Sequence, residues 1–334
     1  MATSDCDVLV VGAGVTGLTT AICLAEQGLR VLVQAGRPPQ ETTSAVAGAI
    51  WGPHLVEAGG RAERWSSQTL TVLRELATEP GTGVRIATGI EAVRPAGRHD
   101  GRSADDAKFR QLGGYQACDR AELPAGFAAG WRYAAPLAHM PTYLGYLLAR
   151  FERGGGELAH GTVTSLADAG RAAGARAVVN CTGTGARQLV PDTAVTPVRG
   201  QVVVAANPGL SEFFIGRSDE SAELVYVFPH GDQVVLGGTE KPGDWNTDPS
   251  PAVAERILAD VAAAEPRLRD AEVLTHRVGL RPVRPSVRLE AEAPDGQDGL
   301  IVVHNYGHGG AGVSLSWGCA REAADLVVRS GPPR

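Results

Sequence analysis

A short apolar run that ends in a glycine-rich turn constrains this chain more than any other stretch. Val8–Val11 lead directly into the Gly-x-Gly-x-x-Gly pattern of Gly12, Gly14 and Gly17, and an apolar helical pattern begins at Leu18. In such a strand–turn–helix the first glycine permits the tight turn, the second lets the backbone approach a pyrophosphate, and the third lets helix and strand pack closely. The helix N-terminus adds free N–H groups that favour phosphate. The pattern therefore predicts a dinucleotide site.

The second strand of this unit ends without the acidic residue that usually holds the ribose of NAD. A helical pattern leads to Gly28, a helix C-terminal glycine, and Arg30–Val33 form the next predicted strand. The following residues are Gln34, Ala35, Gly36 and Arg37, so a standard NAD site is disfavoured. Arg37 has two interpretations, a phosphate contact or a solvated turn arginine.

The next segment is rich in hydroxyl groups and small residues. It runs from Thr42, Thr43 and Ser44 through Gly48, Ala49 and Ile50 to Trp51. Hydroxyl groups supply donors and acceptors for phosphate or ribose, and small residues let a flat ring approach the backbone. A polar loop that leads into a helix explains the composition equally well.

The remaining chain alternates between helical and strand-like patterns. Helices are predicted over residues 63–76, 141–150 and 251–264, a short strand around Val163, and a buried strand over residues 177–180. Residues 198–238 alternate with period two, which indicates an antiparallel meander. Leu300–Val303 then lead into a second glycine-rich turn and a final helix from about Leu315, repeating the arrangement at the start of the chain.

These patterns predict an α/β fold with two interleaved domains. A Rossmann-like cofactor domain is combined with an α+β substrate domain built on an antiparallel sheet. The cofactor domain is expected to comprise residues 1–50, 140–190 and 275–334, and the substrate domain residues 51–139 and 191–274.

Composition narrows the classes of partner. A net charge of −6 offers no basic field for nucleic acid or an anionic membrane, and no apolar run approaches the roughly 20 residues that span a bilayer. The five cysteines show no C-x-x-C spacing, which favours reduced thiols and disfavours structural zinc. With a polar N-terminal segment and no peroxisomal C-terminal signal, a cytoplasmic location is expected. The composition is compatible with a homo-oligomer.

Candidate chemical groups are few. No motif for hydrolytic catalysis is present, Cys181 is interpreted as a small residue at a strand end, and the glycines around His304 and His308 disfavour a metal pair. Arg281, Arg284 and Arg288 share one segment that two prolines hold extended. A planar guanidinium pairs bidentately with a carboxylate, so this segment is a candidate carboxylate clamp, whereas Arg284 and Arg288 are expected to face water.

Several blocks together resemble the D-amino-acid oxidases, a flavoenzyme family that includes the D-aspartate oxidases. They occur in family order over nearly the whole chain, and the last two are the most diagnostic. The blocks are Val11-Gly-Ala-Gly-Val-Thr-Gly17, Thr42-Thr-Ser44, Ala47-Gly-Ala-Ile-Trp51, Val179-Asn-Cys-Thr-Gly183, Arg199-Gly-Gln201, Leu236-Gly-Gly238, Val287-Arg-Leu289, Trp317-Gly318, Gly279-Leu-Arg-Pro-Val-Arg-Pro285 and His304-Asn-Tyr-Gly-His-Gly-Gly310.

The resemblance implies FAD as the cofactor and assigns roles to individual residues. Arg281 is expected to bind the substrate α-carboxylate, Tyr226 to add its hydroxyl to the same group, and the carbonyl of Gly310 to accept from the substrate amine. Ala222 replaces a second active-site tyrosine of the mammalian pattern, so the lid over the pocket must differ. The residues expected to bind FAD are Gly12, Ala13, Gly14, Val15, Thr16, Gly17, Arg37, Thr42, Thr43, Ser44, Gly48, Ala49, Ile50, Val163, Thr182, Gly309, Gly310, Gly312, Val313 and Ser314.

The implied reaction is hydride transfer from a D-amino acid to flavin N5, giving a 2-oxo acid, ammonia and hydrogen peroxide with dioxygen as acceptor. No side chain is expected to act as an acid or base. D-aspartate oxidases tend to carry an arginine where this chain has Glu240, which favours neutral or basic substrates, although Arg217 lies in the lid-like stretch. A D-aspartate oxidase and another flavin amine oxidase, such as a glycine or sarcosine oxidase, are the alternatives.

Overall fold

The computed structural model describes residues 6–52, 60–94, 112–218, 221–292 and 299–330. Within these ranges the side chains of residues 113, 218 and 221–223 are outside the description. In the described part of the chain, fourteen strands form one continuous hydrogen-bonded sheet.

Strands and helices alternate in the opening part of the described chain, whereas five strands follow one another between residues 196 and 242. The strands are β1 (Val8–Val11), β2 (Val31–Ala35), β3 (Val84–Val93), β4 (Gly113–Ala117), β5 (Ala129–Ala138), β6 (Glu157–His160), β7 (Ala177–Asn180), β8 (Thr196–Ala206), β9 (Phe213–Ser218), β10 (Ser221–His230), β11 (Gln233–Gly237), β12 (Lys241–Pro242), β13 (Val273–Glu292) and β14 (Ile301–His308). The α-helices are α1 (Val15–Glu26), α2 (Thr43–Val46), α3 (Gly60–Leu76), α4 (Met140–Arg153), α5 (Leu166–Ala172), α6 (Ala186–Leu189), α7 (Pro251–Ala264) and α8 (Gly312–Ser330).

Five strands form a parallel part in the order β14-β7-β1-β2-β6. Every residue of β1 is buried, because Val8 and Val10 pack with residues of α1 and α8 while Leu9 and Val11 pack with Leu166 of α5. Helices on both faces explain why this strand is an uninterrupted apolar run rather than an alternating one.

The other part of the sheet is mainly antiparallel, in the order β4-β5-β3-β9-β10-β11-β8-β13, with one parallel pair between β3 and β9. The long strand β13 belongs to both parts. Its first half pairs with β8 from Val273 to Val283, and its second half pairs with β14 from Arg288 to Glu292. This strand therefore carries the Arg281 segment from the antiparallel part into the parallel part.

The C-terminal helix α8 packs between α1 and α3. Its contact with α3 is close enough that a Cβ on Gly318 would lie 2.3 Å from the Cα of Trp65. Trp317, one residue earlier, is buried and donates its indole N–H to the hydroxyl of Tyr143 on α4 at 2.8 Å. The glycine at this position lets two helices from opposite ends of the chain meet at backbone distance.

The predicted α/β class, the opening βαβ unit and the antiparallel meander are confirmed. The strand expected around Val163 is wrong, because β6 ends at His160 and Val163 lies beyond the end of that strand. The division into two domains stays a prediction. None of the helices within the described ranges combines the length and apolar character needed to cross a membrane.

Candidate active site

A cavity of about 600 Å³ lies where the parallel and antiparallel parts of the sheet meet. One side, called the parallel-strand wall, consists of residues that follow the carboxyl ends of parallel strands, where open α/β sheets bind ligands. The facing side, called the antiparallel wall, consists of residues from the antiparallel part. The parallel-strand wall comprises residues 11–16, 34–37, 161–163, 181–185, 308–310 and 312–314, and the antiparallel wall comprises Glu91, Tyr133, Gly200, Ile215, Arg217, Leu224, Tyr226, Glu240 and Arg281.

The opening glycine turn has no room for side chains. Gly12 has a φ of +112°, and a Cβ there would lie 2.5 Å from the carbonyl oxygen of Cys181. A Cβ on Gly17 would lie 1.8 Å from the carbonyl oxygen of Gly12. Helix α1 begins after Gly14 with no side-chain cap, and the Val15 N–H donates to Ser44 Oγ at 3.0 Å. The turn therefore presents backbone atoms and a helix N-terminus to the cavity.

The segment of residues 42–52 connects the walls of the cavity. Thr43 Oγ1 donates to the carbonyl oxygen of Leu280 at 3.2 Å, which fixes α2 against β13. The N–H of Gly52 donates to Ser314 Oγ, and this hydroxyl donates back to the Gly52 carbonyl, both at 3.0 Å. Residues from the opening third of the chain are thereby tied to the first turn of α8.

The later part of the parallel-strand wall is held by short polar contacts. Asn180 Oδ1 accepts from both the N–H and the hydroxyl of Thr182, at 3.2 and 2.7 Å. The N–H of Gly309 donates to the Pro282 carbonyl at 2.9 Å, which ties the second glycine turn to β13. Burial raises the pKa of the Cys181 thiol to about 12, so it is not a nucleophile near neutral pH.

Arg281 and its neighbours form one end of the antiparallel wall. Arg281 Nη1 donates to the Thr239 carbonyl at 3.0 Å, and the Thr239 hydroxyl accepts from the Gln201 N–H at 2.9 Å. The guanidinium lies against Gly200, where a Cβ would be 2.5 Å from Nη1. The guanidinium is therefore fixed by a hydrogen bond to a buried carbonyl, and it fits only because residue 200 has no side chain.

Tyr226 lies in the same wall, buried to 7% exposure. Its ring stacks on Phe228 with centroids 4.6 Å apart and packs against Gly237, where a Cβ would be 2.2 Å from Cζ. Burial raises the pKa of the Tyr226 hydroxyl, the positive charge of Arg281 opposes this shift, and the negative charge of Glu240 adds to it. The three groups are thus close enough to interact electrostatically.

A charged cluster that the sequence analysis did not identify lies farther along this wall. Glu91 is 2% exposed, and its two carboxylate oxygens accept from the Tyr133 hydroxyl at 2.9 Å and from the Nε of Arg217. The sequence gives no signal for it, because the large apolar residues Ile86 and Ile90 alternate on the opposite face of β3. In the structure Glu91 shares the buried face with Ala87 and Gly89. A charged residue on the buried face of a strand points to a function or a partner.

Most of the residues expected to bind cofactor or substrate line this one cavity. Gly17 is the exception, since it lies beneath the opening turn and supports it. The side chain of Ala222 is outside the described residues. The expectation that Arg284 and Arg288 face water is wrong: Arg284 pairs with Asp192 at 3.0 Å, and Arg288 donates to the Tyr306 hydroxyl at 2.8 Å.

The chain is similar to known FAD-dependent oxidoreductases. The family profile described as FAD dependent oxidoreductase matches residues 7–326. The chain is 49% identical to a D-amino-acid oxidase of Rubrobacter xylanophilus over 321 residues, covering 96% of this chain and 95% of the relative. It is 45% identical to a D-amino-acid oxidase of Streptomyces coelicolor over 325 residues, covering 97% of each.

More distant relatives share the fold. A human D-aspartate oxidase is 34% identical over 331 residues, covering 96% of this chain and 94% of the relative. A glycine oxidase structure from Geobacillus kaustophilus superposes with a TM-score of 0.78 at 20% identity, covering 98% of this chain and 95% of the other. The chain therefore belongs to the D-amino-acid oxidase family of FAD-dependent oxidoreductases.

Proposed function

We propose that this chain oxidatively deaminates D-amino acids, with a preference for neutral or basic side chains. The products are a 2-oxo acid, ammonia and hydrogen peroxide, and dioxygen is the electron acceptor. The observation that carries the proposal is the placement of Arg281 and Tyr226 together on the antiparallel wall, facing a wall built for a dinucleotide.

The parallel-strand wall fits FAD by shape. Side chains at Gly12 and Gly17 would collide with backbone atoms, so the turn keeps the close backbone approach that a pyrophosphate needs. Arg37 is exposed where β2 ends and adds a positive charge to the same wall. In this proposal the opening turn, Thr42–Ser44, Gly48–Ile50 and the second glycine turn hold the cofactor.

Two residues of the antiparallel wall and Gly310 of the parallel-strand wall orient the substrate. Arg281 binds the α-carboxylate through its planar guanidinium, and the carbonyl of Gly310 accepts from the amine. Because burial raises the pKa of Tyr226, its hydroxyl keeps its proton and donates to the same carboxylate. These contacts fix the orientation of Cα, so that only one enantiomer would point its single Cα hydrogen towards a bound flavin, and this would set the stereochemistry. When bound, FAD would supply the redox chemistry, namely two-electron oxidation of the substrate and reoxidation by dioxygen.

Glu240 supports the preference among substrates. It lines the same cavity and its negative charge contributes to the raised pKa of Tyr226, so its electrostatic field extends into the substrate site. A second carboxylate on the substrate adds a negative charge that this field repels, whereas a neutral or cationic side chain adds none. We therefore expect turnover of D-alanine and D-lysine to exceed that of D-aspartate.

Anaerobic titration tests the reaction itself. D-alanine should bleach the visible absorbance of the FAD-loaded protein, and L-alanine should leave it unchanged. Bleaching by both enantiomers, or by sarcosine alone, contradicts the proposal and favours another flavin amine oxidase.

Arg281→Ala tests the carboxylate clamp. Removing one partner of a desolvated charge pair costs about 3 kcal/mol, so the KM for D-alanine should rise about 100-fold. FAD affinity should stay within twofold of wild type, because Arg281 lies on the opposite wall. Arg277→Ala is the matched control, since Arg277 lies on the same strand outside the cavity lining. An unchanged KM in Arg281→Ala removes this residue from the substrate site.

For the cellular location we propose the cytoplasm. Its support is the redox state of the thiols, because Cys6, Cys23, Cys118, Cys181 and Cys319 are all unpaired. Free thiols are typical of a reducing compartment.

A further inference from the structure

We propose that Glu91 is a specificity-determining positioning residue, which neutralises Arg217 and thereby excludes D-amino acids with a second carboxylate. The inference rests on the proposed function. It concerns the part of the cavity that receives the substrate side chain, whereas Arg281 and Tyr226 concern the end that binds the α-carboxylate.

Strand pairing places the Glu91 pair near the carboxylate end of the site. Glu91 is paired with Ile215 on β9, and Ile215 is paired with Tyr226 on β10, so the three residues form one row across the sheet. Since neighbouring strands lie about 4.8 Å apart, the backbones of Glu91 and Tyr226 are separated by roughly 10 Å. Side chains from both ends of this row line the cavity, so one small amino acid can meet both.

The chemistry of the pair explains its effect. Both oxygens of Glu91 accept hydrogen bonds, one from the Nε of Arg217 and the other from the Tyr133 hydroxyl. Glu91 is buried, whereas the Arg217 side chain is 32% exposed and reaches the cavity. The guanidinium of Arg217 is therefore the more accessible part of the pair for a substrate. The carboxylate of Glu91, on the buried side of the guanidinium, already balances its positive charge.

Stability alone gives a weak reason for such a pair. Taking two charges out of water is costly, and apolar residues of similar volume often serve a fold equally well. A balanced pair does discriminate among ligands: a neutral side chain leaves it intact, whereas an anionic one must compete with Glu91 for Arg217. Removing the negative charge of Glu91 should therefore allow Arg217 to bind the second carboxylate of an acidic substrate.

Glu91→Gln tests this directly, because glutamine keeps the size and polarity of the side chain and removes its charge. The ratio of kcat/KM for D-aspartate to kcat/KM for D-alanine should rise about 10- to 100-fold. The same ratio for D-lysine should fall. Glu212→Gln is the matched control: it breaks an ion pair with Arg132 of the neighbouring strand β5, away from the cavity lining, and should leave both ratios unchanged.

Arg217→Met and the double variant identify the group that acts. In Glu91→Gln/Arg217→Met the gain for D-aspartate should disappear, because the guanidinium that would bind the second carboxylate is gone. In Arg217→Met alone, the D-aspartate ratio should fall below wild type, since the negative charge of Glu91 remains and the positive charge of Arg217 does not. If Glu91→Gln does not fold, the D-aspartate ratio of Arg217→Met provides the test.

The outcomes separate the two proposals. If wild type does not oxidise D-alanine, the proposed function is wrong. If Glu91→Gln oxidises D-alanine with an unchanged D-aspartate ratio, or if the double variant keeps the gain, only the role of Glu91 is wrong.

Discussion

The two walls of the cavity are built from different chemical groups. The parallel-strand wall presents glycines and short residues, and its tightest approaches are to backbone, as between Gly12 and the Cys181 carbonyl. The antiparallel wall presents charged and aromatic side chains held by polar contacts, as Thr239 holds Arg281. Steric fit determines what the parallel-strand wall can bind, and charge determines what the antiparallel wall can bind. Substitutions on the two walls should therefore impair different functions, cofactor binding on the first and substrate binding on the second.

The largest effect is expected from Gly12→Ala. The new Cβ would lie 2.5 Å from the Cys181 carbonyl oxygen, and the backbone would keep a φ of +112°, which alanine rarely adopts. Because a backbone carbonyl cannot move aside as a side-chain end can, we expect the FAD dissociation constant to rise at least ~100-fold. The measurement is the dissociation constant from titration of apoprotein with FAD.

Gly28→Ala is the control that isolates the backbone angle. Gly28 also has a positive φ, +81°, but no atom lies within 4 Å of a Cβ built there. We expect this variant to lose about 1 kcal/mol of unfolding free energy and no FAD affinity. Equal FAD affinity in both variants would show that contact between the turn and β7 does not shape the cofactor site.

Acid should destabilise the parallel-strand wall, because His308 is buried there and no charged group within the described residues contributes to its pKa shift. This side chain is 3% exposed and its Nε2 has no hydrogen-bond partner within the described residues. Burial lowers the pKa of His308 to about 4, below the ordinary value near 6.5. Between these values the unfolded chain binds a proton that the folded chain does not. The free energy of unfolding that the neutral His308 contributes is therefore fully present above pH 6.5 and is lost as the pH falls towards 4.

The expected contribution of His308 to this loss is about 3 kcal/mol of unfolding free energy at pH 4 relative to pH 7. Urea unfolding of the FAD-loaded protein at several pH values measures it. His308→Gln should reduce the pH dependence in this window, whereas His276→Gln, at an exposed position, should not. An unreduced slope in His308→Gln would mean that other groups cause the acid lability.

The two walls also differ in how well the sequence predicts them. Gly12 and Gly17 predict the parallel-strand wall from the sequence. The glycines of a strand–turn–helix are required by local geometry, and the close contacts that these glycines permit are with backbone atoms. The antiparallel wall depends on pairings between distant strands: Glu91 and Arg217 are 126 residues apart, and nothing local to either residue indicates the other. The role expected of Arg281 follows from the family resemblance of its proline-flanked segment, not from any pairing that the sequence reveals.

Long-range pairing limited the fold prediction in the same way. Periodicity predicted the opening unit and the meander, but not that β13 continues from one part of the sheet into the other. The contact between α3 and α8 was also missed, since Gly318 lies inside an ordinary helical pattern and its partner Trp65 is near the other end of the chain. The local sequence pattern predicts individual helices and strands. Side-chain packing determines which distant helices and strands come into close contact, and the local pattern does not reveal it.

The smallest of the predicted effects comes from a glycine on the antiparallel wall, Gly200→Ala. Its Cβ would lie 2.5 Å from Arg281 Nη1, an approach as close as that at Gly12, but here the neighbour is the end of a flexible side chain. The guanidinium can swing away and lose its bond to Thr239, so the KM for D-alanine should rise about 10-fold, which corresponds to roughly 1.4 kcal/mol.

FAD affinity in Gly200→Ala should equal that of wild type, and Gly145→Ala, a helical glycine with open space around it, should change neither quantity. The two crowded glycines then give opposite results: Gly12→Ala loses the cofactor, and Gly200→Ala weakens only the substrate. Loss of FAD from Gly200→Ala would show that the antiparallel wall shapes the cofactor site as well. In that case crowding alone, whichever wall it affects, would explain both variants.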